Sequence, residues 1–75
     1  MAKAATHPLL RTLGARIRAL RLGKGWSQEE LADAARIDRS YMSGIERGVR
    51  NVSVLSLAKV SKALGASLSS LFERL

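Results

Sequence analysis

The sequence predicts a compact all-α domain of five short helices. Apolar residues recur at intervals of three and four, the spacing of one helix face, and no stretch alternates apolar and polar residues as a half-buried strand does. Glycines and helix-capping residues separate the apolar stretches. With 75 residues, 47% of them hydrophobic, the chain has the length for one domain and the apolar side chains for one core.

The first helix is predicted from Pro8 to Leu22, after a flexible arm over residues 1–7, so the folded domain is expected over residues 8–75. Proline is favourable in a first helical turn, and Gly23 and Gly25 supply the backbone freedom at which helices end. The predicted buried face of this helix contains Leu10, Leu13, Ile17 and Leu20.

The second helix is predicted over residues 28–35. Ser27 and Glu30 have the spacing of a capping box, in which each side chain bonds the backbone N–H of the other residue. Trp26, just before the helix, is expected to pack on Leu31 and to fix the direction in which the chain enters.

A tight turn over residues 36–38 leads to a short third helix. Asp38 is expected to cap its start, Ile37 to pack on Met42, and Gly48 to end it.

Two more helices complete the fold. Ser53 and Ser67 are expected to begin them, and Gly65 to end the first of the two. One face of the fourth helix contains Val54, Leu57, Val60, Ser61 and Leu64. One stripe of the fifth contains Leu68, Leu71, Phe72 and Leu75.

The charge balance favours a polyanionic partner. The chain has 13 Lys and Arg residues against 6 Asp and Glu, a net charge of +7, which points to nucleic acid first and to acidic lipid second. A membrane-surface role is less favoured because the arginines lie on several predicted helices and not along one face.

The sequence lacks the residue sets that enzymes and metal sites need. It has no cysteine, its one histidine, His7, precedes the first helix, and no catalytic cluster or phosphate-binding loop is present. We therefore expect no enzymatic activity, no cofactor and no metal. No apolar run is long enough for a signal peptide or a membrane span, so we expect a cytoplasmic location.

The third helix has an outward face suited to a DNA groove. If Met42 is at the centre of its buried side, Arg39 lies at the edge, and small polar residues leave room for base edges that arginine can read. The residues expected to face outward are Ser40, Ser43, Gly44 and Arg47. A plain solvated face explains the same pattern, so the residues alone leave both interpretations open.

Residues 28–47 resemble the helix-turn-helix of the Xre family of phage repressor-like regulators. The matching residues are Gln28, Leu31, Ala32, Ile37, Met42, Ile45, Glu46 and Gly48. Residues 27–32 and 38–47, with Arg50-Asn51, especially resemble restriction-modification controller proteins, and the likeness extends over about residues 13–72. Arg36 replaces the usual glycine of the turn, which implies either a less relaxed turn or another backbone arrangement. Gly44 occupies a position that often bears a base-reading side chain.

The resemblance implies a repressor-like, sequence-specific transcriptional regulator of double-stranded DNA. The base-reading residues that it implies are Arg39, Ser40, Ser43 and Arg47. The phosphate-contacting residues are Gln28, Tyr41, Arg50 and Asn51. For Arg50 and Asn51 the resemblance also leaves open a contact from the loop to a neighbouring base. The alternatives are that Gln28 and Arg50 are ordinary solvated residues and that Tyr41, like Trp26, is a packing residue.

Two charged residues lean towards the core. Arg21 falls about 40° from Ile17 on the first helix and Glu46 about 40° from Met42 on the third. A lone inward charge is costly, so a structural Arg21–Glu46 ion pair is predicted, and the resemblance implies the same pair. Two independent side chains that extend their charges to water are the alternative.

The resemblance also implies a two-fold homodimer, the form in which such domains bind an inverted-repeat operator. Leu55 points about 160° from the core side of the fourth helix, and the predicted interface contains Leu55, Leu68, Leu71, Phe72 and Leu75. At this spacing the last stripe is otherwise core. RNA polymerase is kept open as a further partner. The alternative to a DNA-binding regulator is a helix-turn-helix that binds a protein, as an antitoxin does. We favour it less, because we expect such a protein to carry an extension that binds its partner, and neither end of the sequence supplies one.

Overall fold

The computed structural model describes residues 7–75 and folds them into five helices without a strand. The helices are α1 (Pro8–Gly23), α2 (Gln28–Ala35), α3 (Arg39–Arg47), α4 (Val54–Leu64) and α5 (Leu68–Leu71). The predicted arm lies outside the described residues except for His7. That residue caps α1, because its Nδ1 accepts a hydrogen bond from the backbone N–H of Leu9 at 3.0 Å.

The capping residues act as predicted at the starts of α2 to α5. The hydroxyl of Ser27 accepts from the backbone N–H of Glu30 at 3.0 Å, and the N–H of Ser27 donates to the Glu30 carboxylate at 2.7 Å. The caps of α3, α4 and α5 are Asp38, Ser53 and Ser67. These local bonds satisfy amide groups that a helix start leaves free, which explains why the helices begin where they do.

The turn between α2 and α3 is strained at Arg36. Its backbone is left-handed, with φ 58° and ψ 47°, and the N–H of the next residue, Ile37, donates to the carbonyl of Ala32 at 2.9 Å. This is the ordinary arrangement of a glycine at a helix end. The turn therefore keeps that backbone with a residue that adopts it at a cost of about 1–2 kcal/mol.

The core lies where α1 packs on α3 and α5, and α2 packs on α3 and α4. Its fully buried side chains include Ile17, Leu31, Met42, Val60 and Leu71. α1 and α3 approach so closely at Gly14 that a Cβ there would overlap the Ile45 carbonyl oxygen and lie 2.5 Å from that of Glu46. The absent side chain of Gly14 therefore allows the two helices to cross.

Two predicted core residues are exposed. Val54 is 74% exposed because the first turn of α4 precedes the buried stretch that begins at Leu57. Leu20 is 37% exposed, since the buried face of α1 follows Leu13, Ile17 and Arg21 at intervals of four.

The last helix is shorter than predicted, and Leu71 is misassigned. α5 ends at Leu71, so the stripe from Leu68 to Leu75 is not a single helical face. The Arg16 guanidinium donates to the carbonyls of Ser70, Leu71 and Glu73, which takes up acceptors at the end of α5 and favours an early stop. Leu71 is 0% exposed and belongs to the core, so its placement in a dimer interface is wrong.

Within residues 7–75, no helix is both long enough and apolar enough to cross a lipid bilayer.

Candidate nucleic-acid interface

α3 presents a polar, basic face to solvent. Met42 and Ile45, exposed by 0% and 2%, fix the rotation of the helix. Ser40 and Arg47 are exposed on the opposite side, Arg39 is exposed at the edge, and Ser43 is half-buried. The core thus holds this face rigidly, as a recognition surface requires.

Asp38 anchors the start of that face. Its Oδ2 accepts from the backbone N–H groups of Ser40 at 2.9 Å and Tyr41 at 3.3 Å. A hydrogen bond with the Ser40 side chain, together with these amides, holds the pKa of the Asp38 carboxyl below its ordinary value. The cap is therefore ionised at neutral pH and orients the first turn, in which Arg39 and Ser40 lie.

Gly44 does not face outward as predicted. It is buried under the side chain of Arg50, whose Cγ would lie 2.5 Å from a Cβ at this position. The chain after α3 turns back, and the N–H of Val49 donates to the Gly44 carbonyl at 3.0 Å. The loop therefore places the Arg50 side chain over the part of α3 that Gly44 leaves without a side chain.

Tyr41 connects α3 with the loop and the start of α4. It is half-buried against the core, so the packing role is present. Its ring lies 5.5 Å from the Arg50 guanidinium, and its hydroxyl accepts from the backbone N–H of Ser53 at 3.5 Å. Asn51 is exposed and borders a shallow depression with His7 and Leu9.

Arg21 and Glu46 form a buried bidentate ion pair. Nε of Arg21 lies 2.7 Å from Oε2 of Glu46, the second contact is 2.9 Å, and the two side chains are 9% and 2% exposed. Arg21 also donates to the Trp26 carbonyl at 2.8 Å. The hydrogen bonds to Glu46 raise the pKa of the Arg21 guanidinium above its ordinary value and outweigh the lowering by burial.

Gln28 belongs to the same network. Its Nε2 donates to Oε1 of Glu46 at 3.1 Å, which ties the first residue of α2 to α3. An amide nitrogen carries two hydrogens, so the second remains for another acceptor. The network thus joins α1, α2 and α3 beneath the candidate interface.

The sequence profile described as Helix-turn-helix matches residues 17–71, which contain this whole arrangement. The chain belongs to the helix-turn-helix family. Like the family's regulators, it is a DNA-binding transcriptional regulator and not an enzyme.

Relatives and solved structures agree with this membership. The chain is 42% identical over 69 residues to Control protein C.BamHI of Bacillus amyloliquefaciens. The matched residues make up 91% of this chain and 85% of the relative. It superposes on the restriction-modification controller protein C.AhdI of Aeromonas hydrophila with a TM-score of 0.82 and 48% identity, over 84% of this chain and 96% of the other. The controller protein C.Esp1396I, solved as a tetramer on its natural 35 base-pair operator, gives a TM-score of 0.82 and 42% identity, over 89% and 88% of the two chains.

Sequence reasoning missed several contacts between separate elements. Among them are the Gln28 to Glu46 hydrogen bond, the Arg50 side chain over Gly44, and the Arg16 clamp on α5. Each joins residues on different elements, and residue spacing carries no signal for such contacts. The one signal for these contacts in the sequence is Gly44, because a glycine within a helix leaves space that a neighbouring side chain can fill.

No group of three or more His, Cys, Asp or Glu side chains within residues 7–75 is arranged to hold a metal ion.

Proposed function

We propose that this helix-turn-helix regulator binds an inverted-repeat operator as a homodimer, with α3 of each subunit in the major groove. The observation that carries the proposal is the exposed face of α3, where Arg39 and Arg47 flank small serines above a fully buried core. Arginine reads guanine through a bidentate contact, and small neighbours let the helix approach the base edges.

The surrounding residues divide into two groups. Arg39, Ser40, Ser43 and Arg47 read base edges from α3. Gln28, Tyr41, Arg50 and Asn51 contact the phosphate backbone and fix the register of the protein on the duplex. The bond between Gln28 and Glu46 supports this role, because it holds the Gln28 amide at the start of α2, where free N–H groups favour an anion.

Apolar residues of α4, of α5 and of the segment after α5 support a dimer surface. Leu55 is 68% exposed, Phe72 is also exposed, and Leu68 and Leu75 are half-buried beside the core. Such residues favour association when a partner covers them. Without Leu71, the proposed surface consists of Leu55, Leu68, Phe72 and Leu75. The tetrameric operator complex of C.Esp1396I supports binding as an oligomer.

The experiment that tests base reading compares two variants with the same loss of one positive charge. Arg39→Ala is expected to lower operator affinity by about 5- to 150-fold, equivalent to roughly 1–3 kcal/mol, and to relax the preference at one base pair. Lys59→Ala changes an exposed residue of α4 and controls for charge alone. Equal losses of Arg39→Ala on operator and random duplexes would show that Arg39 holds a phosphate and reads no base.

The dimer surface has its own matched pair of variants. Leu55→Glu is expected to give a folded monomer whose operator affinity falls towards its non-specific level, as measured by sedimentation and duplex titration. Leu22→Glu alters another exposed leucine, on α1 and outside the proposed surface, and should leave the dimer intact. A native protein that stays monomeric at micromolar concentration and binds a one-site duplex equally well would contradict the dimer.

A regulator of this kind acts where the chromosome is, so we place it in the cytoplasm of its host, with RNA polymerase as a further partner. Co-purification of polymerase on operator DNA, with and without the regulator, tests that partner. Equal polymerase retention in both samples would count against it.

A further inference from the structure

The helix that carries the recognition surface has one buried position without a side chain. Gly44 lies in the middle of α3, on the helix that carries Ser43 and Arg47, and glycine inside a helix destabilises it relative to alanine. The α3 backbone at Gly44 is ordinary helix, and its φ is not positive. Backbone conformation therefore does not require glycine here, whereas the space beside the helix does.

That space is occupied by the side chain of Arg50. A Cβ at Gly44 would lie 2.5 Å from Cγ of Arg50, 3.3 Å from Nε and 3.4 Å from Cδ. Side-chain carbons do not approach within 2.5 Å, so an alanine at position 44 and the observed position of Arg50 exclude each other. The colliding atoms belong to a flexible side chain on an exposed residue, and Arg50 can move away without disturbing the core.

Two further contacts hold Arg50 in this place. Its guanidinium lies over the Tyr41 ring at 5.5 Å, and Tyr41 is itself tied to the start of α4 by the bond from Ser53. The loop returns to α3 at the same residue, since the N–H of Val49 donates to the Gly44 carbonyl. Gly44 thus forms the floor and Tyr41 the wall of a slot for one arginine side chain.

We propose that Gly44 is a positioning residue that sets Arg50 against the DNA-facing side of α3, where Arg50 determines specificity at a base pair. Arg50 then supplies from the loop the side chain that the helix lacks at position 44. The inference rests on the proposed function and replaces the phosphate contact of Arg50 there with a base contact. The ligand is the major-groove edge of a base pair, and guanine is the base that an arginine guanidinium prefers.

The test compares two glycine-to-alanine changes within helices. Gly44→Ala is expected to raise the melting temperature slightly and yet to lower operator affinity by about 5- to 150-fold, the range for one lost arginine–base contact. Gly23→Ala is the control, because a Cβ at Gly23 would meet nothing within 4 Å. It should leave operator affinity unchanged.

The link to Arg50 is tested by combining variants. Arg50→Ala is expected to relax the preference at the same base pair as Gly44→Ala, and adding Gly44→Ala to Arg50→Ala should cost no further affinity. Arg50→Lys keeps the charge but lacks the planar fork, so it should lose the base preference and retain affinity for random duplex. This variant keeps the proposal testable if Gly44→Ala proves unstable.

Three results would overturn the proposal. They are native operator affinity of Gly44→Ala, additive losses in the double variant, and equal losses of Arg50→Ala on operator and random duplexes. The last would make Arg50 a phosphate contact. A failure of the proposed function is distinguishable, because the unaltered protein would then prefer no sequence at all.

Discussion

Breaking the buried pair between Arg21 and Glu46 should destabilise the fold severely. Arg21→Met keeps much of the side-chain volume but removes both contacts at 2.7 and 2.9 Å. The Glu46 carboxylate, with its side chain 2% exposed, would retain only the bond from Gln28. A buried charge stripped of its partner costs about 3–5 kcal/mol.

That loss is large for a chain of this size. At roughly 0.05–0.15 kcal/mol per residue, 75 residues give a total stability of about 4–11 kcal/mol. Arg21→Met should therefore lose from about a quarter to all of that stability. The double variant Arg21→Met/Glu46→Leu replaces both charges with apolar side chains and should stay within about 2 kcal/mol of the native protein, even though the Trp26 carbonyl loses its donor.

The assay is urea unfolding followed by circular dichroism and by the fluorescence of Trp26, the one tryptophan of the chain. Arg18→Met, an exposed arginine of α1, is the matched control and should change the free energy of unfolding by less than about 0.5 kcal/mol. If the double variant costs the sum of the two single variants, Arg21 and Glu46 do not act as a pair and the reasoning is wrong.

Four further changes and one control variant test other parts of the fold. Asp38→Asn should flatten the pH dependence of stability below about pH 4, as measured by urea titrations. The native Asp38 carboxyl has a lowered pKa, so the stability that the cap contributes is lost as the pH falls through that pKa. An unchanged pH dependence would exclude the cap. Gly14→Ala should lower stability by at least about 1–3 kcal/mol, because its Cβ meets the α3 backbone. Arg16→Met should cost about 1.5–3 kcal/mol by freeing the α5 carbonyls, and a loss equal to that of an exposed arginine would refute the clamp. Leu71→Ser should unfold the domain in thermal melts, whereas Phe72→Ser should not.

Local physical chemistry made the boundaries of α2 and α3 predictable. α2 spans the predicted residues, because its start depends on a capping box within four residues, Ser27 to Glu30. α3 likewise begins after its predicted cap, Asp38, and ends before Gly48. The sequence also predicts the direction of the Arg21 and Glu46 side chains, since helical angles alone place both charges towards the core.

Contacts between distant elements were not predictable in this way. The spacing of Leu71 fits a surface stripe, yet Leu71 lies in the core, and Arg16 donates to its carbonyl at the end of α5. Gly44 was expected to face solvent because helical angles do not report the loop that covers it with Arg50. In both cases the decisive neighbour comes from another part of the chain.

Selection of bound duplexes from a random DNA pool by the native protein tests whether a dimer reads an operator. We expect enrichment of an inverted repeat whose half-site centres lie about one helical turn apart, ~34 Å or 10–10.5 base pairs. Arg39→Ala in the same selection should recover a repeat degenerate at one symmetric position. A pool that stays random would exclude sequence-specific binding, and a single asymmetric site bound by one subunit would exclude the dimer.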